Sequence, residues 1–164
     1  RLHYVGIEAY PVAPDAIRRS VSSLALDATL SPGTLERLRQ QADALADAWC
    51  HRHDGVQSWS FADSRVRLTL ALGDVQDMLG QLDEVADAIY LDGFSPLRNP
   101  RMWSQATLDA LARRARAGTR LATYSTAPDV RQRLQQAGFT VRRCRGLPPK
   151  RRRLEACWGP FQAD

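Results

Sequence analysis

The stretch Asp87-Ala88-Ile89-Tyr90-Leu91-Asp92-Gly93-Phe94-Ser95-Pro96 constrains this chain more than any other. Its apolar run, residues 88–91, is short and bounded by turn formers. That pattern predicts a buried strand stopped sharply by Gly-Phe-Ser-Pro. In an open α/β sheet, ligands sit in the crevice beyond the carboxyl ends of the strands. Asp92 and Phe94 fall in that position. An acceptor, a flexible backbone position and a flat ring suit a planar substrate held by one polar group. The same residues also read as a strand-ending turn whose aspartate caps a helix, and the stretch alone leaves both readings open.

The residues around it alternate strand and helix. Residues 2–7 read as a buried strand with Glu8 at its end. In dinucleotide-type folds an acidic residue at the end of the second strand binds ribose hydroxyls, about 20 residues after a glycine-rich phosphate loop. Counting back from Glu8 runs off the start of the chain, so Glu8 reads either as a ribose ligand whose loop lies elsewhere or as a solvated strand end. Pro14-Asp15 opens a short helix. Ser31-Pro32 caps a longer one, whose apolar face is Leu35, Leu38, Ala42, Leu45 and Trp49 and which stops near Cys50. His51 and His53 have a metal-binding spacing but no accompanying ligand cluster, and read as a polar loop.

Residues 57–61 and 66–72 predict strands joined at Asp63-Ser64, with the period-two alternation of a half-buried sheet in the second. Gly73-Asp74 ends that strand. Asp74 stands both at the N-cap of a helix carrying Val75, Met78, Leu79 and Leu82 and at a strand end where a carboxylate can accept from an adenine amino group. After the opening stretch, Asn99-Pro100-Arg101-Met102-Trp103 forms a loop of large side chains, placed as a lid would be. Ser104 caps a helix with Leu108, Leu111, Ala112 and Ala115 inward and Gly118 as its C′ residue. Residues 120–124 form a strand, Pro128 opens a helix closed by Gly138, and strands begin at Phe139 and Leu154.

The chain's 164 residues set one domain as the prior. No apolar run approaches the roughly 20 residues that span a bilayer. Cys50, Cys144 and Cys157 are odd in number and widely spaced, which suggests reduced thiols and a cytoplasmic location rather than a disulfide framework. The formal net charge of +5 suits an anionic partner. Much of it lies in Arg142, Arg143, Arg145, Lys150, Arg151, Arg152 and Arg153, a run without an acid and broken by Pro148-Pro149. That reads as a basic loop between hairpin strands, suited to RNA phosphates, or as a solvated charged face.

Taken together, Gly73-Asp74, residues 87–96, Asn99-Pro100-x-Met102-Trp103, Leu121-Ala122-Thr123-Tyr124-Ser125, Ala137-Gly138-Phe139-Thr140-Val141 and Gly146 with Lys150-Arg151 resemble one family. It is the methyltransferase domain of the bifunctional tRNA 5-methylaminomethyl-2-thiouridine biosynthesis proteins, within the class I S-adenosylmethionine-dependent methyltransferases. The Leu-Asp-Gly-Phe-x-Pro-x-x-Asn-Pro-x-Met-Trp string is the most specific part, and the likeness covers most of the chain.

The resemblance implies an α/β, Rossmann-like fold: a mostly parallel sheet with helices on both faces and a C-terminal antiparallel pair, residues 1–164 forming one methyltransferase domain. It implies that a first strand and a Gly-rich loop precede Arg1. It implies S-adenosylmethionine as methyl donor, with Glu8 on its ribose and Gly73 and Asp74 at its adenine. Asp92 is the expected catalytic residue, beside the aminomethyl nitrogen of a wobble uridine in tRNA. It orients the amine lone pair, and whether it also takes the proton stays open. Phe94 and Trp103 are expected against the base, either stacked on it or walling the pocket, with ordinary core packing an equal reading for Trp103, and Lys150 and Arg151 are expected on the tRNA. Some relatives carry an FAD-dependent oxidoreductase domain; FAD and that partner belong here only if such a domain lies outside these residues. No metal and no membrane contact are expected, and the oligomeric state is not set. Competing readings are a methyltransferase acting on another RNA or a small amine, a non-catalytic RNA-binding remnant of the fold, and, more distantly, a nicotinamide-dependent enzyme.

Overall fold

The computed structural model of the chain describes residues 1–24, 30–146 and 151–161. They fall into two compact units, Arg1–Asp74 and Val75–Asp164.

The first unit runs β1 (Leu2–Glu8), α1 (Pro14–Leu24), α2 (Pro32–Cys50), β2 (Gly55–Phe61) and β3 (Val66–Leu72). β3 is central, parallel to β1 and antiparallel to β2. Its second half, Thr69 to Leu72, is buried, and the buried Thr69 hydroxyl is shared with His3 Nε2 and Ser58 Oγ, each at 2.8 Å. The β2–β3 turn takes its direction from three consecutive residues at positive φ, Ala62, Asp63 and Ser64. At the start of α2 the Ser31 hydroxyl accepts from the Thr34 amide at 3.2 Å, the N-cap expected of Ser-Pro. Helices α1 and α2 are pinned by Arg18, which reaches Asp43 at 3.1 Å and Asp47 at 2.7 Å, and the Trp49 indole N–H donates to the Val12 carbonyl at 2.8 Å.

The second unit runs α3 (Val75–Leu79), β4 (Ala86–Tyr90), α4 (Gln105–Ala112), β5 (Ala115–Thr123), α5 (Pro128–Gln136), β6 (Phe139–Arg145) and β7 (Arg152–Trp158). The sheet order is β4-β5-β7-β6, with β4 parallel to β5 and the other two pairings antiparallel. One apolar core holds it together. Leu108 and Ala112 of α4 and Val130 and Leu134 of α5 pack with Leu121, Phe139, Val141, Leu154 and Ala156 of the strands. The opposite face of the sheet carries Tyr90 and Arg120, with the Phe161 ring 4.3 Å from the Arg142 guanidinium. Gln76 of α3 donates to Ser104 Oγ at 2.9 Å and Thr107 Oγ1 at 3.2 Å, tying α3 to the start of α4.

The α/β class stands, but parallel order is narrower than expected. Among the described residues it is confined to β1–β3 and β4–β5, because β2 returns as a hairpin and β6–β7 close the second sheet antiparallel. A second difference concerns Gly118 and Ala115. Helix α4 ends at Ala112, so Gly118 is not its C′ residue and Ala115 is not on its inward face. Both lie in β5, where the register jumps from Ala86↔Ala115 to Ala88↔Arg120. Gly118 takes φ +88° inside this bulge, a region open to glycine at little cost. The buried Thr119 hydroxyl replaces the lost ladder bonds, donating to the Ala86 carbonyl at 2.6 Å and accepting from the Arg116 amide at 2.9 Å.

Candidate active site

In the first unit, parallel pairing brings the carboxyl ends of β1 and β3 side by side, with Glu8 opposite Leu72. The Gly73 amide donates to the Glu8 carbonyl at 3.1 Å, so Glu8, Gly73 and Asp74 share one rim. The Glu8 side chain is exposed. Its Oε1 accepts from the Tyr10 amide at 2.8 Å, which holds the carboxylate in place, while Oε2 has no partner among the described residues. A fixed carboxylate with one open oxygen can accept from a ribose diol. Asp74 is half-buried, with interactions of its own.

In the second unit the corresponding rim is built on β4 and β5. The Leu91 amide extends the pairing to the Ala122 carbonyl at 2.9 Å, and Leu91 is buried. Asp92 follows, exposed and without a partner among the described residues. The loop after it is tightly made. The Tyr124 hydroxyl, from the end of β5, donates to the Gly93 carbonyl. Met102 packs closely on Gly93, its Cε 2.8 Å from where a Cβ would stand, so a larger residue there would require the end of the Met102 side chain to move. The Ser95 carbonyl accepts from the amides of Arg98 and Asn99, and Asn99 Oδ1 accepts from the Met102 amide at 3.3 Å. Phe94 is 66 % exposed and Leu97 is 96 % exposed, giving the rim an apolar lip beside the carboxylate.

Of the two readings of Trp103, core packing holds and contact with the base does not. Its side chain is fully buried at 0 % exposure, packed in the core with Leu108 and Leu121 and edge-on to Tyr124, ring centroids 6.3 Å apart. A ring so enclosed cannot stack on a base. It acts from below, donating its indole N–H to the Phe94 carbonyl at 2.8 Å, while its own carbonyl accepts from Arg133 at 2.8 Å. Sequence reasoning missed Tyr124 as the second support of this loop. Thr-Tyr-Ser at a strand end carries no signal that the phenol crosses to the neighbouring strand's loop.

At the β6–β7 hairpin, Arg151 is exposed, and Lys150 lies outside the described residues. Glu155, opposite Arg142 in the ladder, accepts from Arg142 Nη2 at 3.0 Å and from Arg153 Nη2 at 2.6 Å. The hydrogen bonds from Arg153 and then Arg142 pull its carboxyl down to about 2. Burial and the same carboxylate push the Cys144 thiol up, keeping it protonated. His51 Nδ1 donates to the Asp47 carbonyl and His53 Nδ1 to the Asp54 carbonyl. Among the described residues no three His, Cys, Asp or Glu side chains gather, and no helix is long and apolar enough to cross a membrane.

This chain belongs to a family of S-adenosyl-L-methionine-dependent methyltransferases, whose model matches residues 36–158. It is 46 % identical over 159 residues to the tRNA 5-methylaminomethyl-2-thiouridine biosynthesis bifunctional protein MnmC of Paracidovorax citrulli (strain AAC00-1), covering 97 % of this chain. It is 45 % identical over 159 residues to the protein of the same name from Delftia acidovorans (strain DSM 14801 / SPH-1). The chain spans 23 % of the length of each of these curated relatives. Among solved structures, that of MNMC2 from Aquifex aeolicus matches with a TM-score of 0.64 at 19 % identity, covering 99 % of this chain and 57 % of that one; that likeness bears on the fold. The cofactor of the family is S-adenosylmethionine. The exposed, backbone-held Glu8 carboxylate beside Gly73-Asp74 fits its nucleoside end.

Proposed function

We propose that this chain is the methyltransferase part of a tRNA-modifying enzyme. It would place a methyl group on the aminomethyl nitrogen of 5-aminomethyl-2-thiouridine at the wobble position. Both units then belong to one methyltransferase domain, a reading supported by a family match that runs across residue 74. The carrying observation is an exposed Asp92 just beyond β4, without a partner among the described residues, on a loop fixed from beneath by Trp103 and Tyr124. It stands in a chain whose relatives are named for synthesis of methylaminomethyl-thiouridine in tRNA.

The roles follow from chemistry. When bound, S-adenosylmethionine supplies an electrophilic methyl on a sulfonium. Glu8 would accept from its ribose hydroxyls, and Gly73 and Asp74 would meet its adenine. The acceptor is an aliphatic amine with a lysine-like pKa near 10.4, so it must shed a proton before its lone pair is available. Asp92 accepts a hydrogen bond from one of the two remaining N–H groups and turns the lone pair outward. Fixing that direction replaces a search over orientations, which is where enzymes of this kind gain much of their rate. Phe94, exposed on the same loop, offers its face to the base. Arg151 and Lys150 would contact the tRNA. A fused FAD-dependent oxidoreductase is the partner that the word bifunctional in the relatives' name suggests.

The test is methyl transfer from labelled S-adenosylmethionine, catalysed by the protein that carries this chain. One tRNA substrate bears the aminomethyl group and the other lacks it. Label should appear only in the first, on the nucleoside's side-chain nitrogen. Equal labelling of both tRNAs would move the reaction to another atom and overturn the assignment.

A further inference from the structure

The basic run at the β6–β7 hairpin is sorted by the ladder into two sets with different work to do. The register pairs Arg142 with Glu155, Arg143 with Leu154, Cys144 with Arg153 and Arg145 with Arg152. Side chains alternate faces along a strand, and residues directly opposite share a face. Arg142 and Arg153 therefore lie with Glu155, and both are held by it, at 3.0 Å and 2.6 Å. Arg143, Arg145 and Arg152 lie on the other face, the one that Leu154 shares with the core. All three are exposed, and none has an acidic partner among the described residues.

That second set is costly as it stands. Arg145 and Arg152 sit directly opposite each other, an arrangement of like charges that weakens a sheet. Arg143 precedes Arg145 by two residues and shares its face, at a backbone repeat of about 6.8 Å. The hairpin does not splay to relieve the repulsion. The Gly146 amide donates to the Arg151 carbonyl at 3.0 Å, and Arg153 Nη1 donates to the Arg145 carbonyl at 2.9 Å, holding the register to the end of the ladder. The three arginines share one face at the end of this ladder and, with Arg151, line a shallow cleft, and no acidic side chain pairs with them among the described residues. The geometry points to consecutive backbone phosphates of a nucleic acid as the missing counter-charge, because planar guanidinium forks pair bidentately with phosphate oxygens.

We propose that Arg143, Arg145 and Arg152 form the grip on the tRNA backbone, and that Arg142 and Arg153 take no part in it. This rests on tRNA being the substrate. The experiment measures affinity of an unmodified tRNA transcript for the protein carrying this chain, as a function of salt. Three variants are compared with the parent: R143Q/R145Q/R152Q, the matching triple Arg→Lys variant, and R142Q/R153Q. Each released phosphate contact contributes about 0.7–0.9 to the log–log salt slope.

The triple glutamine variant should lose about two units of slope or more and bind at least tenfold more weakly at physiological salt. The lysine variant should keep the slope and lose affinity, and R142Q/R153Q should keep the parental slope. If the parent does not bind tRNA, the substrate reading itself fails. If the parent binds and the triple glutamine variant keeps its slope, or if the two glutamine sets lose slope equally, the grip is overturned and the substrate reading survives. Relief of like-charge crowding should leave the triple variant's melting temperature at or above the parent's, separating lost contact from lost fold.

Discussion

Trp103 carries the clearest lesson among single residues. An aromatic in a loop beside a site invites a reading as a substrate platform, and the Asn-Pro-x-Met-Trp string encourages it. The structure spends the ring on the interior, and only the indole N–H reaches toward the site, holding the Phe94 carbonyl. Trp103→Phe keeps most of the packing and removes that donor. It should lower stability by about 1–2 kcal/mol and make residues 92–102 more sensitive to limited proteolysis. Unchanged denaturation and cleavage would show that the loop is held by other means. Asp92 and Glu8 were legible as rim carboxylates because strand, glycine and turn follow one another in the chain. Tyr124's support of Gly93 was not, since it depends on which strands become neighbours.

Among elements, the β6–β7 hairpin shows how register gives identical side chains different fates. A string of arginines looks uniform in one dimension; pairing gives Arg142 and Arg153 a carboxylate and leaves Arg143, Arg145 and Arg152 without one. Glu155's folded-state value of about 2 lies below its ordinary 4.5. Its contribution to stability is therefore complete above pH 4.5 and is lost as pH falls through the range down to 2. Discounted for the solvent around its partners, that contribution is on the order of 2 kcal/mol. Urea midpoints of the parent should fall between pH 4.5 and 2 more steeply than those of Glu155→Gln, with the two curves converging at the acid end. Parallel curves would remove the clamp. The bulge in β5 is the element that periodicity misread. Gly118 after an apolar helical pattern reads as a helix end, and only the register with β4 shows that its positive φ serves an insertion in the strand. The alternating apolar pattern of β3 and the capped start of α2 were readable because each depends on neighbours within a few residues.

In the whole molecule, charge is divided as unevenly as chemistry. Residues 1–74 carry eight arginines against nine carboxylic side chains, whereas residues 75–164 carry fourteen arginines and one lysine against nine. The positive excess thus lies wholly in the unit that bears Asp92, Phe94 and the hairpin, the unit assigned here to the RNA, and not in the unit that bears Glu8 and Gly73-Asp74. Composition gives the sign of the net charge; the division into units gives its location. The account as a whole depends on Asp92 directing the amine. Single-turnover methyl transfer to tRNA bearing 5-aminomethyl-2-thiouridine, with cofactor and tRNA saturating, measures that directly. Asp92→Ala should slow the step by about a hundredfold with affinity for S-adenosylmethionine unchanged, whereas a rate equal to that of the parent would contradict the assignment.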